Sequence, residues 1–291
     1  MFTDNPTIPA QLEVLLDVVH KMHDRKANME ALKKIIQPKG LPGVSENSRH
    51  LELHISAALE LGLLKQDENE NYRVVTKPKG NKNSKSLILD AFDRFVLSET
   101  KTEKWCARFY SYLIVQDRDV GPNNSKDQEL FSKAFMENLP ITIERDNPMN
   151  STKYSALIRW YCYSGMGWIN PAGSFIPDPT LRLRRALPTI WGTEKKLDAD
   201  LFMSRLANIC PELDGGGLFQ EITSAYYNSS EKKCTRALAI ALWNLHDLKE
   251  IRLHCPNDNP GWLLDLGGEG RVQGEMSNRV VLFEKLTKVN A

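Results

Sequence analysis

One local order recurs three times in this chain and limits its fold more than any other feature: a long amphipathic helix, a break, a short apolar strand, a tight turn and a second short strand. The clearest copy is Ser230–Leu266, SEKKCTRALAIALWNLHDLKEIRLHCPNDNPGWLLDL. The others are Ser45–Val75 and Thr152–Phe175. A helix followed by a hairpin is the second half of a winged helix, in which the helix lies against a partner and the hairpin forms the wing. The expected fold is therefore mostly α with short β-hairpins (α+β), arranged as tandem winged-helix units. The expected divisions are an N-terminal winged-helix domain (1–76), a basic linker (77–86), a middle helical and winged-helix domain (87–192) and a C-terminal winged-helix domain (193–291).

A chain of 291 residues has room for two or three such domains. Its formal net charge is +1, so no global field draws it to nucleic acid or anionic lipid, and any such affinity must come from local patches. No apolar run is long enough to span a bilayer, and the polar start MFTDNPTIPAQ does not read as a signal peptide. Five scattered cysteines without CxxC spacing suit reduced thiols, so the expected setting is the cytoplasm, with no membrane contact.

In the first unit, apolar residues at Leu12, Leu15, Leu16 and Val19 predict a helix over Gln11–Asp24. Asn28 caps the next, and Ser45 caps a third that Gly62 closes. Around that third helix, Leu51, Ile55, Ala58 and Leu59 share a face. The opposite face carries Glu46, Arg49, Leu53, Ser56 and Glu60, with Glu52 at its edge. A helix that reads a major groove presents cations and neutral hydrogen-bonding groups. Three glutamates and a leucine point to a protein-docking surface instead. His50 and His54 have the i, i+4 spacing of a zinc site but no third ligand nearby, so packing is expected and no metal. Lys77, Lys79, Lys82 and Lys85 form an acid-free segment. It is read as a solvated linker that can also track phosphates.

In the middle unit, helices are expected over Leu87–Leu97, Glu103–Val115, Asn124–Asn138 and Thr152–Gly165, with a short strand or extended connection over Leu139–Arg145. The aromatics of the second are expected in the core, and Asp117 and Asp119 on a surface turn. Along Thr152–Gly165, Tyr154, Leu157, Ile158 and Tyr161 should be buried. Lys153 and Arg159 should face outward and contact phosphates. The helix beginning near Asp178 or Thr180 carries Arg182, Arg184 and Arg185, read as a solvated face, with Arg182 and Arg185 candidates for phosphate contact.

In the third unit, Asp198 caps a helix over Leu197–Ile209 with Leu201, Phe202, Leu206 and Ile209 on its apolar side. The loop CPELDGGG lacks the strand-to-helix context of a phosphate loop. On Ser230–Leu245 the core stripe is Cys234, Leu238, Ala241, Leu242 and Leu245, with Ser230 as cap. The other face shows Lys232, Lys233, Arg236, Ile240 and Trp243. Cations in the first turns suit DNA phosphates; an exposed Ile240 and Trp243 suit a protein partner. Glu250–His254 and Trp262–Leu266 are expected to pair as the wing. The tail VVLFEKL is expected to close the domain as a strand.

No nucleophile elbow, P-loop or metal-ligating cluster is present, so neither an enzymatic activity nor a cofactor is expected. The ordered landmarks ALELGLLKQDENENYRV, WCARFYSYLIVQD, IRWYCYSGMGW, FIPDPTLRLRRALPTIW, PELDGGG and TRALAIALWNL resemble the DpdG family, over most of the chain. FIPDPT, ALP and LDGG are the most specific of them. That family belongs to the Dpd gene clusters, which put deazaguanine derivatives into bacterial DNA and restrict DNA lacking them. The resemblance implies a subunit of the restriction arm, beside helicase-like, ATPase and nuclease components; the basic helix faces, read from the residues themselves, add double-stranded DNA as an expected partner. The resemblance carries no catalytic residues. The expected role is a DNA-binding adaptor; the alternatives are a protein-bridging subunit that never touches DNA and a winged-helix transcriptional regulator.

Overall fold

The computed structural model describes residues 7–40, 49–75, 83–97, 104–116, 122, 125–139, 148–223, 232–256, 260–264, 266 and 279–286. In chain order the elements are α1 (Pro9–Lys21), β1 (Lys26–Ala27), α2 (Met29–Ile36), α3 (Arg49–Glu60), β2 (Leu64–Gln66), β3 (Tyr72–Val74), α4 (Ser84–Ala91), α5 (Lys104–Val115), α6 (Ser125–Glu137) and α7 (Ser151–Ser164). They continue with β4 (Gly167–Ile169), β5 (Phe175–Pro177), α8 (Thr180–Trp191), β6 (Lys196–Asp198), α9 (Ala199–Ile209), α10 (Gly217–Thr223), β7 (Lys233–Cys234), α11 (Arg236–Asp247), β8 (Ile251–His254), β9 (Trp262–Leu264), β10 (Arg279–Val280) and β11 (Leu282–Lys285). The α+β class is as expected. Two compact units result: Met1–Glu103 with Thr152–Tyr163, and Lys104–Ser151 with Ser164–Ala291. This partition cuts across the sequence-based divisions, because most of α7 joins the first unit and the middle and third segments share the second.

In the first unit α1 buries Leu12, Leu15, Leu16 and Val19 to 1% exposure or less. Asn28 caps α2 by accepting from the Ala31 N–H. Helix α3 stops at Gly62, whose φ of +65° suits a residue without Cβ. The Gly62 and Leu63 amides there donate back to the Leu59 and Ala58 carbonyls, satisfying the helix end. The predicted hairpin is present as β2 and β3, in register Lys65↔Arg73, and β1 adds a third strand on β3. Asp67 pins the turn, accepting from the Asn69 and Asn71 amides and the Arg73 guanidinium. Helix α4 starts earlier than expected, at Ser84, because Asn83 caps it. Its continuation is a π-helical turn at Phe92–Val96, and Phe92 stacks on Trp160 of α7 at 5.2 Å.

The second unit is built on α5, whose Phe109 and Tyr112 pack with Phe131 and Phe135 of α6. The expected aromatic core is therefore found. Strands β4 and β5 form the predicted middle hairpin. Gly167 is required there, since a Cβ would collide with the Phe175 ring and the Ile176 carbonyl. Asp198 caps α9 as expected, but Leu201 is 44% exposed rather than in the core. On the next turn Arg205 donates to the Ile190 and Trp191 carbonyls, closing the end of α8. Strand β11 lies between β6 and β8, and its Phe283 stacks on Phe202 at 3.9 Å.

Two expectations about the third copy are corrected. The proposed wing strands do not pair with each other: β8 pairs with β11, and β9 pairs with β10 and, in parallel, with β7. The reason is burial. Ile251 and Leu253 of β8 lie on one face with Phe283, and that half-apolar face is covered best when β11, from the tail, takes the centre. The tail thus closes the unit, as expected, and displaces the hairpin. Helix α11 also starts at Arg236, not Ser230, because Lys233 and Cys234 are extended in β7 and Thr235 is the cap.

Candidate functional site

The loop Cys210–Gly216 organises the second unit. Its backbone runs so close to itself that a Cβ on Gly216 would meet the Pro211 backbone. Two carboxylates point inward from it. Glu212 is fully buried and accepts from the Arg182 Nε at 2.9 Å; Arg182 itself is 3% exposed and also donates to the Ile209 carbonyl. The Glu212 carbonyl receives the Ser111 hydroxyl of α5. Asp214, 1% exposed, accepts from both the backbone N–H and the hydroxyl of Thr235 at the start of α11. One short loop thereby ties α5, α8 and α11 together, and the LDGG motif is structural.

This geometry gives several of the residues expected to meet phosphates an internal place instead. Arg182 is an internal counter-ion, which corrects its reading as a solvated or phosphate-contacting group. Arg185 donates to the Ser164 carbonyl and Arg184 to Glu250 at 2.8 Å, so this arginine-rich helix knits its own unit. The Asp178 carboxylate accepts from the Thr180 N–H and hydroxyl, and Asn244 of α11 donates to the same hydroxyl.

Lys153 is 4% exposed, which corrects its placement on an outer face: α7 is buried on nearly every side, including Ala156, Trp160 and Tyr161. On that helix Arg159 is exposed, with Thr152 and Ser155.

At α11, the positive end of the helix dipole already holds an anion, the buried Asp214. Lys232 and Lys233 precede the helix rather than riding on its first turn. Lys232 is paired with Asp200 at 2.7 Å, which also accepts from the Trp262 indole at 2.8 Å. These two donors, Lys232 first, hold the Asp200 carboxyl below the usual range. Arg236 is exposed, as expected, and so is Ile240 at 37%. Trp243 is half-buried, edge-on to His246 at 5.4 Å.

In the first unit Arg49, Glu52 and Glu60 are exposed on α3, whereas Leu53 is half-buried. Glu46, Lys77, Lys79, Lys82, Asp117, Asp119 and Ser230 lie outside the described residues, as does most of the strand expected at 139–145. Lys85 is exposed on α4 and lies over the Tyr163 ring, 5.4 Å from its centroid. His54 is buried and bridges locally: its Nε2 accepts the Ile8 N–H at 3.2 Å and its Nδ1 donates to the His50 carbonyl. Burial is the main reason its pKa is held below the ordinary histidine value. Among the described residues no group of three or more His, Cys, Asp or Glu is placed to hold a metal ion. None of the helices is long and apolar enough to cross a membrane.

Sequence reasoning missed the two inward carboxylates and the mixed-charge outer face of the β6–β11–β8 sheet, where Lys196 and Arg252 stand with Glu284 and Asp198. The second was legible as period-two alternation in Ile251–Arg252–Leu253–His254, which buries every other residue and leaves Arg252 and His254 outside.

A family model described as DpdG-like matches residues 2–259 of the chain. No curated protein matches it. Among solved structures, the restriction endonuclease FokI bound to DNA is similar over 76% of this chain and 54% of that one, at 12% identity and a TM-score of 0.24. The chain spans about half the length of that FokI chain, and a likeness at this score carries no weight for fold or function.

Proposed function

The chain belongs to the DpdG-like family, and from that membership we propose that it is a non-enzymatic adaptor in the restriction arm of a Dpd defence system, joining partner subunits through protein-docking surfaces. The observation that carries this reading is the internal fate of the cations. Arg182 is neutralised by Glu212, Arg184 by Glu250 and Lys232 by Asp200, and the α11 N-terminus holds Asp214. Two surfaces suit a protein partner: Ile240 on α11, and the outer face of α3, where Arg49, Glu52 and Glu60 lie beside Leu53. The helices that would read DNA in a winged-helix protein are here better suited to protein. A test is reconstitution with the purified helicase-like, ATPase and nuclease subunits. Leu53→Asp and Ile240→Asp should each lose a subunit from the assembly while the folded chain persists. Full retention of every subunit by both variants would remove the proposed docking surfaces.

A further inference from the structure

Strand edges in this chain are guarded by charge, with one exception. In the three-stranded sheets every edge strand carries a charged side chain: Lys26 on β1, Lys65 on β2, Lys196 on β6, Arg252 on β8, Lys233 on β7 and Arg279 on β10. Such groups discourage a further strand from pairing there, because pairing would strip their water. The β4–β5 hairpin has no such protection. No charged side chain stands between Arg159 and Asp178, and among the described residues this sheet stops at two strands. Its β5 side packs against α5 and ends in Pro177, which has no N–H to offer. The β4 side is left open.

Hydrogen-bond parity shows what that edge presents. The Asp178 N–H donates to the Met166 carbonyl, and the Asn170 N–H to the Ser174 carbonyl. Both bonds continue the register Trp168↔Ile176, one at each end of the hairpin. Met166, Trp168 and Asn170 therefore turn their backbone groups towards β5, and Gly167 and Ile169 turn theirs outward. The side chains beside these outward groups are apolar: Trp168 is 50% and Ile169 53% exposed. Leu181 of α8, 44% exposed, lies against Gly165 and lengthens the same margin.

We propose that this edge pairs with itself: β4 joins β4 of a second copy of the chain, antiparallel and centred on Trp168. The edge is self-complementary about that residue. Gly167 of each copy comes opposite Ile169 of the other, and each such pair exchanges both N–H···O bonds. Trp168 meets Trp168 of the second copy at the position between them, where Cα atoms lie about 4.5 Å apart and side chains touch. Ile176, the register partner of Trp168 on β5, extends this contact on both sides into an apolar stripe across a joint sheet. On the other face Ile169 stands opposite a glycine, so a large side chain meets none. The two-fold axis makes the contact closed, a dimer rather than a fibre. A strand this short buries less than the roughly 800 Å² per partner of a standard interface, so the pairing is reversible. The proposal goes beyond the adaptor reading and uses neither of the helices assigned to subunit docking; the dimer presents each of those surfaces twice.

The test is sedimentation equilibrium of the full chain from about 1 μM to about 1 mM. The mass should rise from 33.1 kDa towards twice that value. Ile169→Pro removes an outward N–H and spares the hairpin's own bonds; Trp168→Lys sets like charges against each other on the axis. Each should weaken association by about tenfold or more. Leu201→Lys, at an apolar site 44% exposed on α9, should change it by less than about twofold. Trp168→Cys should form a disulfide between copies under mild oxidation, since Cα atoms about 4.5 Å apart are within bridging range; Leu201→Cys should not. A parent that stays at 33.1 kDa throughout would overturn the proposal. So would association that survives both Ile169→Pro and Trp168→Lys, which would place the contact on another surface. A monomeric parent whose Trp168→Lys variant drops a subunit from the reconstituted assembly would assign the edge to a foreign strand, and that too would overturn it. Leu53→Asp and Ile240→Asp report on subunit docking in every case, so the adaptor reading stands or falls separately.

Discussion

Removing the Glu212 carboxylate tests the claim that the arginines of α8 hold the fold together rather than reach for phosphates. Glu212→Ala leaves Arg182 charged, 3% exposed and without its ion-pair partner. Stranding one member of a buried pair costs about 3–5 kcal/mol, because the remaining charge keeps its desolvation penalty. The guanidinium retains its bond from Nη2 to the Ile209 carbonyl, which favours the lower end, about 3 kcal/mol. In a unit of this size that corresponds to a fall in Tm of roughly 6–12 °C. Urea denaturation followed by tryptophan fluorescence reads the difference as a shift in midpoint. The double variant Arg182→Met with Glu212→Leu removes both charges, so it should be more stable than either single variant by more than about 1 kcal/mol. A loss under about 1 kcal/mol for Glu212→Ala, or additive losses in the double variant, would refute the reasoning. A functional Arg182 predicts the opposite pattern: unchanged stability and lost DNA affinity in Arg182→Met.

Two pH-linked predictions follow from local geometry. His54 is held below the usual histidine value of 6.5, chiefly by burial. The folded state therefore favours neutral imidazole, so its contribution to stability is complete above 6.5 and is lost as the pH falls below that value. Hydrogen exchange at the Ile8 amide, which donates to His54, should accelerate at mildly acidic pH relative to neighbouring amides, and His54→Gln should abolish the step. Glu194 is drawn down to about 2, first by its hydrogen bonds from Arg205. Its contribution is present above the ordinary 4.5 and is lost as the pH falls through 2. Carboxyl-carbon NMR should show that low midpoint in the parent and a return toward 4.5 in Arg205→Gln.

Local signals were read correctly from the sequence. Asn28, Gly62 and Asp198 act at helix ends where their chemistry predicts, and the DENEN and Asn-Pro-Ala-Gly turns make the two hairpins expected of them. What the sequence concealed was non-local. Arg182 meets Glu212 across 30 positions, Lys232 meets Asp200 across 32, and Arg184 meets Glu250 across 66. A helical wheel sees a cation but not the carboxylate that a distant loop delivers to it. The same holds for β8 and β9, whose turn-linked order resembled a hairpin until the tail strand took the central place. Ser230 reads as an acceptable cap, but Thr235 caps α11, and its amide and hydroxyl meet the buried Asp214. Lys153 was misplaced because α7 is enclosed on nearly every side, which a two-sided wheel does not anticipate.

The adaptor role is tested most directly by affinity purification of the full chain from cells carrying its Dpd system, after exhaustive nuclease digestion, with masses of the co-eluting subunits determined. The account predicts that helicase-like, ATPase or nuclease components remain bound once DNA is gone, and that Ile240→Asp or Leu53→Asp releases at least one of them. Elution of the chain alone after digestion, with those components present only while DNA is intact, would contradict it.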